Sequence, residues 1–290
     1  MRIAVFGVSG MLGSMLVNYL KESYQIIATV RSVVGYASEG NVEYRQFDCQ
    51  DFKGIEPGNI VHDSDWVINA IGAIPQRCKD RNTFYAVNAN FPLELSKYRK
   101  PVIQIATDCV WAGKAGPYLE TDKHDEISDY GQSKSLGEID APNFYNLRCS
   151  IIGLEPEGNY SLLKWFLSQP KKAKVEGYVN HWWNGITTLH FAMICKGIID
   201  GGTTARPYPI RTQHIVPADW ISKYKLLQMI AREFGRPDIK IIPIQNGEGI
   251  LDRRLATVKP ELNSRLWRAA GYPEPPTIER MIKELAEYVK

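Results

Sequence analysis

An α/β fold, built on a parallel sheet covered on both faces, is predicted by three features of the 290-residue sequence. Short apolar runs alternate with helical stretches. The first run ends in a glycine turn that opens a helix. After about residue 151 the rhythm changes to segments rich in Gly, Pro, Asn and Trp. Buried parallel strands read as continuous apolar runs, and alternation with helices is the pattern of βαβ units.

The runs come in order at residues 2–6, 25–30, 42–47, 66–71, 102–106 and 144–148. Helical stretches are read at Met11 to Leu20, where Met11, Leu12, Met15, Leu16, Tyr19 and Leu20 share one face, at Arg81 to Lys97, and at Tyr130 to Ile139. In the second half, residues 187–199 read as helix, and residues 201–219 carry several prolines and turn formers. Ile278, Met281, Ile282, Leu285 and Val289 form an apolar stripe that reads as core packing.

Composition excludes several classes. A net charge of +3 with basic residues in short groups gives no stripe for nucleic acid. The cysteines Cys49, Cys78, Cys109, Cys149 and Cys195 are odd in number and scattered, and the five histidines lack ligand spacing. Neither a disulfide framework nor a metal site is expected, and a reducing compartment is. Met1 enters the first strand without a charged segment and cleavable apolar stretch, and no run is long enough to span a membrane. A cytoplasmic protein without membrane contact is the expectation.

Gly7, Gly10 and Gly13 follow a strand and open a helix, the context of a dinucleotide turn. The first glycine permits the turn, the second lets backbone approach a pyrophosphate, and the third lets helix and strand pack closely. The helix N-terminus, with Met11 and Leu12, offers free N–H groups to phosphate. The second strand ends in Thr29-Val30-Arg31-Ser32 with no carboxylate for a ribose hydroxyl. Arg31 instead suits a 2′-phosphate. NADPH is the expected cofactor, with NADH also admitted. The fold expected is therefore a Rossmann-type doubly wound parallel sheet with a smaller C-terminal substrate-binding lobe. Residues 1–152, joined by 186–212, form the NAD(P)-binding domain, and 153–185 with 213–290 form the lobe.

Tyr130-Gly-Gln-Ser-Lys134 places a phenol and an ammonium four residues apart, on one helix face. A nearby ammonium and the positive nicotinamide ring of the oxidised cofactor would lower a phenol's pKa, so Tyr130 can donate a proton to a carbonyl oxygen while hydride reaches carbon. The fifth strand ends in Ala106-Thr107-Asp108, where open α/β sheets bind ligands. Thr107 is thus expected beside Tyr130.

These motifs, with Asn69-Ala-Ile-Gly72, Thr107 to Gly113, Leu147-Arg-Cys-Ser150, and Asn263, Ser264 and Leu266, resemble the extended short-chain dehydrogenases. Within them the chain is most similar to the dTDP-4-dehydrorhamnose reductase family. The resemblance implies a reductase of a 4-keto nucleotide-linked deoxysugar, serving surface polysaccharide synthesis. Tyr130 would be the proton donor, Lys134 would hold the nicotinamide ribose, and Thr107 would bond the reacting oxygen. Asp48 would lie near the adenine, Asn69, Ala70, Ile71 and Gly72 on the adenosine side, and Asn88 would support the cofactor region. Asp108, Cys109, Val110 and Ser150 would touch the sugar, and the segment 180–188, with Trp182, Trp183 and Asn184, the nucleotide end. Cys109 stands where the family has an aromatic residue, and where related 4,6-dehydratases carry a glutamate, so dehydration is not expected. Epimerase activity, a non-catalytic regulatory role and a homodimer are left open.

Overall fold

The computed structural model describes residues 1–50, 57–201, 212–245, 247 and 249–290. Its first half follows the apolar runs. β1 (Arg2–Phe6) leads through the glycine turn to α1 (Met11–Leu20), then come β2 (Gln25–Val30), β3 (Val42–Gln46), α2 (Pro57–His62) and β4 (Trp66–Asn69). The stretch 81–97 is not one helix. It is α3 (Arg81–Tyr85), a π-helical turn (Ala86–Asn90) and α4 (Phe91–Ser96), whose second residue is Pro92. The wide turn carries Asn88 inward, where its side chain bonds both N–H and C=O of Ala73. β5 (Val102–Ala106), a 3₁₀ turn (Asp108–Val110), α5 (Asp129–Leu136) and β6 (Phe144–Arg148) complete the series.

Next come β7 (Ile151–Ile152), α6 (Leu162–Leu167), β8 (Lys174–Tyr178), β9 (His181–Trp183), β10 (Ile186–Thr187) and α7 (Thr188–Gly201). They are followed by β11 (Thr212–His214), β12 (Ile221–Ser222), α8 (Lys223–Glu233), β13 (Lys240–Ile244), β14 (Leu251–Asp252), α9 (Pro260–Ala269) and α10 (Ile278–Tyr288).

The central sheet has seven parallel strands in the order β11-β6-β5-β4-β1-β2-β3. The order reverses direction at β1 and β4, which opens a crevice at their C-terminal ends. β11 lies within the stretch read from sequence as turns. Its Thr-Gln-His lacks an apolar signal, and it is seated by polar contacts: Glu120 accepts from the His214 N–H and, with Thr257, from the Gln213 amide. Part of the stretch 186–212, assigned from sequence to the cofactor half, lies outside the described residues.

Side-chain alternation divides the core. Ile3 and Val5 pack on the side of α1 and α7, while Ala4 and Phe6 face Phe47, Phe84 and Phe91 on the other. The first core continues into the second half of the chain, where Ile278, Met281, Ile282 and Leu285 of the α10 stripe are buried. There β13 pairs with β8, and β9 lies between β12 and β14. Among the described residues no helix is long and apolar enough to cross a membrane, and no group of side chains could hold a metal ion.

The glycine turn shows why β1 and α1 can approach. A Cβ on Gly13 would overlap the Gly7 carbonyl, 2.7 Å from its carbon and 2.8 Å from Val8 Cα. On Gly10, whose backbone is extended, a Cβ would meet only the Gly7 oxygen at 3.4 Å. Gly13→Ala is expected to cost about 1–3 kcal/mol through overpacking, whereas Gly10→Ala stays within about 0.5 kcal/mol. Urea unfolding of the two variants checks the difference.

Candidate active site

Two adjoining cavities, of about 560 and 400 Å³, run along the crevice. They share Gly10, Ala70, Ile71, Gly72, Ala73, Ile74 and Arg77 as a common wall. The smaller is lined further by Gly7, Arg31 and Asp48. The larger takes Met11, Leu12, Ala106, Thr107, Asp108, Cys109, Tyr130, Lys134 and Ser150. The structure therefore brings the glycine turn and the tyrosine helix to one continuous cleft.

The smaller cavity suits a dinucleotide. Gly10 has no side chain to occupy the space above the α1 N-terminus, where no side chain caps the helix. The first N–H groups of α1 are thus free for a phosphate. Arg31 is exposed at the mouth, and Asp48 accepts from the Gln50 N–H at 3.0 Å.

In the larger cavity, position follows from how α5 is seated. Ser128 caps the helix by accepting the Gly131 N–H at 3.2 Å. Asn88 donates to the Ser133 hydroxyl at 3.1 Å, and Gly137 lies so close that a Cβ would overlap the Asn88 carbonyl, 3.1 Å from its carbon. The Lys134 ammonium then reaches the end of β5 and donates to the Ile105 carbonyl at 3.0 Å. Burial lowers its pKa to about 8, with Glu138 acting in the opposite direction. The Tyr130 phenol is shifted upward by desolvation, Cys109 and Asp108 acting the same way and a hydrogen bond with Thr107 against it. A lowered phenol pKa was expected from sequence. Within the protein itself desolvation, with Cys109 and Asp108, outweighs the Thr107 hydrogen bond and Arg253, and the neutral phenol is the form held. Burial likewise raises Asp108, and pushes the Cys109 thiol up to about 12.

Other residues named from sequence lie outside the cavity lining. Gly13 serves helix packing, and Ser32 is exposed and accepts from the Val34 N–H. Asn69 is buried in the sheet, bonded to Gln104 at 2.8 Å, and its oxygen accepts the Ile71 N–H. Asn88 acts one layer behind, through Ala73 and Ser133. Val110 packs with Trp111, Tyr118 and Leu255. Trp182 packs on Trp220, and Trp183 is buried with its indole N–H donated to Ser150 at 2.9 Å. Asn184 bonds both backbone groups of Leu255. The segment 182–184 thus meets protein through all three side chains, at Trp220, Ser150 and Leu255.

Sequence reasoning missed Arg253, Glu126, Arg77, Glu155 and Tyr160, all of which line the larger cavity. Arg77 pairs with Glu155 at 2.9 Å and lies over the Tyr160 ring at 4.7 Å. None belongs to a local motif.

Behind the cavity, Arg148 is almost wholly buried. It pairs with Glu138, stacks 4.7 Å above Trp111, and donates to His214 Nε2 at 2.6 Å and His124 Nε2 at 3.0 Å. Both histidines must be neutral to accept. Their Nδ1 atoms face the Ala256 carbonyl and the Ser135 hydroxyl. Desolvation and the guanidinium lower His214 to about 4, while Glu120 opposes them, and desolvation lowers His124 as well. The unfolded chain binds a proton at His214 below about pH 6.5 and the folded one only near pH 4, so stability present at neutral pH is lost as pH falls through this window. The loss should reach at most roughly 3 kcal/mol for this group, read as a falling thermal midpoint between pH 6.5 and 4. His214→Gln should flatten that slope.

The profile of a family described as "RmlD substrate binding domain" matches residues 1–289. A spore coat polysaccharide biosynthesis protein of Bacillus subtilis, SpsK, is 29% identical over 143 residues, which span 47% of this chain and 47% of that protein. A dTDP-4-dehydrorhamnose reductase of Clostridium acetobutylicum superposes with a TM-score of 0.72 at 21% identity, covering 100% of this chain and 99% of the other. That of Bacillus anthracis, solved with NADP, gives 0.73 at 16% identity, covering 99% of each. At these identities the likeness of structures establishes the fold. The profile match over nearly the whole length places the chain in the RmlD substrate-binding-domain family, within the extended short-chain dehydrogenase/reductase fold.

Proposed function

We propose that the protein is an NADPH-dependent reductase that converts the ketone of a 4-keto nucleotide-linked deoxysugar to an alcohol. One observation carries the reading: Tyr130, Lys134 and Thr107 line the same cleft as the glycine turn. Residues 1–152 with 186–212 would serve the cofactor, and 153–185 with 213–290 the sugar nucleotide. The NADP found in the Bacillus anthracis reductase and the role of the SpsK relative in polysaccharide synthesis support cofactor and pathway class.

Gly7, Gly10, Met11 and Leu12 would hold the diphosphate and Arg31 the 2′-phosphate. Asp48 and Ala70 to Gly72 would hold the adenosine, and Ala106 would border the nicotinamide. When bound, the cofactor supplies hydride to the ketone carbon. The chain's own part is the proton. The Tyr130 phenol, kept neutral by desolvation, donates to the ketone oxygen, with the Thr107 hydroxyl beside it. Lys134 donates to the Ile105 carbonyl beneath the site, and would bond the nicotinamide ribose. Asp108, Cys109 and Ser150 would meet the sugar. Cys109, kept as a thiol, is a poor acid for expelling hydroxide.

Tyr130→Phe should reduce turnover by about 10²- to 10⁴-fold while leaving NADPH affinity near that of the parent. NADPH oxidation with a panel of 4-keto nucleotide sugars measures the first and fluorescence titration the second. Unchanged turnover would overturn the proposal. In the pH profile, kcat/KM should fall above about pH 8, where Lys134 loses its proton. A profile flat to pH 10 would remove Lys134 from the reaction.

A further inference from the structure

The larger cavity holds a charged pair that no sequence motif contains. Arg253 directly follows β14, and Glu126 stands just before α5. Both line the cavity beside Thr107, Cys109 and Tyr130. Arg253 donates from Nη2 to Glu126 at 3.0 Å and from Nε to the Trp111 carbonyl at 2.7 Å. Its Nη1 meets the Cys109 sulfur at 3.8 Å. A thiol is a weak acceptor, so the third edge of a guanidinium fixed on its other two is left with donor capacity. Glu126 is equally constrained. Its second oxygen accepts the N–H groups of Ile127 and Ser128, each at 3.0 Å, at the entry to α5.

Two glycines make room for the pair. Gly113 has φ +82°, and a Cβ there would lie 2.9 Å from Arg253 Cγ. A Cβ on Gly131, next to Tyr130, would lie 2.8 Å from Glu126 Cβ and 2.8 Å from the Cys109 carbonyl. Charged groups acting on this end of the cavity are Arg253 and Glu126, with Lys134 of α5, Lys223, and Asp108, whose carboxyl burial pushes upward. Within the Arg253–Glu126 pair one cation and one carboxylate cancel formally. A lone arginine would grip a carboxylate with two parallel bonds. One held by Glu126 offers a directed donor without net charge.

We propose that Arg253 is a substrate-positioning residue that donates from Nη1 to a hydroxyl or ring oxygen of the bound sugar, and that Glu126, by neutralising it, makes the cavity select a sugar without a carboxylate. The inference rests on the nucleotide-sugar reading above. Because Glu126 also anchors the start of α5, the selecting group and the proton donor are positioned together.

The test is calorimetric titration of the full chain, saturated with NADP⁺, with UDP-glucose, dTDP-glucose and UDP-glucuronate. The parent should bind UDP-glucose at least tenfold more tightly than UDP-glucuronate. Glu126→Gln, nearly the same in shape, should narrow that ratio at least tenfold. Arg253→Lys, which keeps the charge but loses the fork, should weaken UDP-glucose about tenfold with unchanged NADP⁺ affinity and thermal midpoint. Equal or tighter uronate binding by the parent would overturn the proposal. So would an unchanged ratio in Glu126→Gln, even in a destabilised protein, since a merely structural pair would not set specificity. Binding of NADP⁺ with none of the three sugars bound would instead sink the nucleotide-sugar reading, and this inference with it.

Discussion

The contact between α5 and the π-helical turn at Ala86–Asn90 sets the position of everything chemical in the cleft. Gly137 has no side chain, so the helix end lies against the Asn88 carbonyl, and the Asn88 amide bonds Ser133 from below. The same amide group holds Ala73, part of the wall common to both cavities. One buried asparagine therefore fixes the helix bearing Tyr130 and Lys134 relative to the loop after β4. A shift of α5 by even one side-chain diameter would lift the ammonium off the Ile105 carbonyl, and the phenol with it.

Desolvation is the second determinant. It acts with opposite sign on the two partners, favouring the neutral phenol and the neutral amine. The carbonyl of Ile105 and the field of Glu138 moderate the loss for Lys134. A phenol that stays protonated suits proton donation to a developing alkoxide, and an ammonium within reach of neutral pH suits holding it.

Much of this was legible in sequence because it is local. The six runs gave β1 to β6, since central strands buried on both faces need no partner to announce themselves; only β3, at the sheet edge, is more open. The Gly7, Gly10 and Gly13 spacing and the Tyr130 to Lys134 interval report geometry within one turn or one helix. What stayed hidden was set at long range. β11 is three polar residues made tolerable in the core by Glu120 and Thr257, which lie far away in the chain. The break in the 81–97 helix depends on what Asn88 reaches. Arg253 and Glu126 are 127 residues apart and meet only after the second half folds back over the sheet. The surroundings of Trp182 and Trp183 were hidden for the same reason: their partners, Trp220 and Ser150, lie well away in the chain.

The Arg148 guanidinium has a consequence for how the molecule opens. It joins the end of β6 to the turn after α5 through Glu138, to the loop of His124, and to β11 through His214, whose ring faces the Ala256 carbonyl. With so many segments sharing one buried charge, none can detach without stranding it in apolar surroundings. Local fraying of the C-terminal segment around Ala256 is thereby suppressed, and α5, β6 and β11 belong to one cooperative unit. Their amide protons would exchange with solvent through a common opening rather than in separate, shallower excursions.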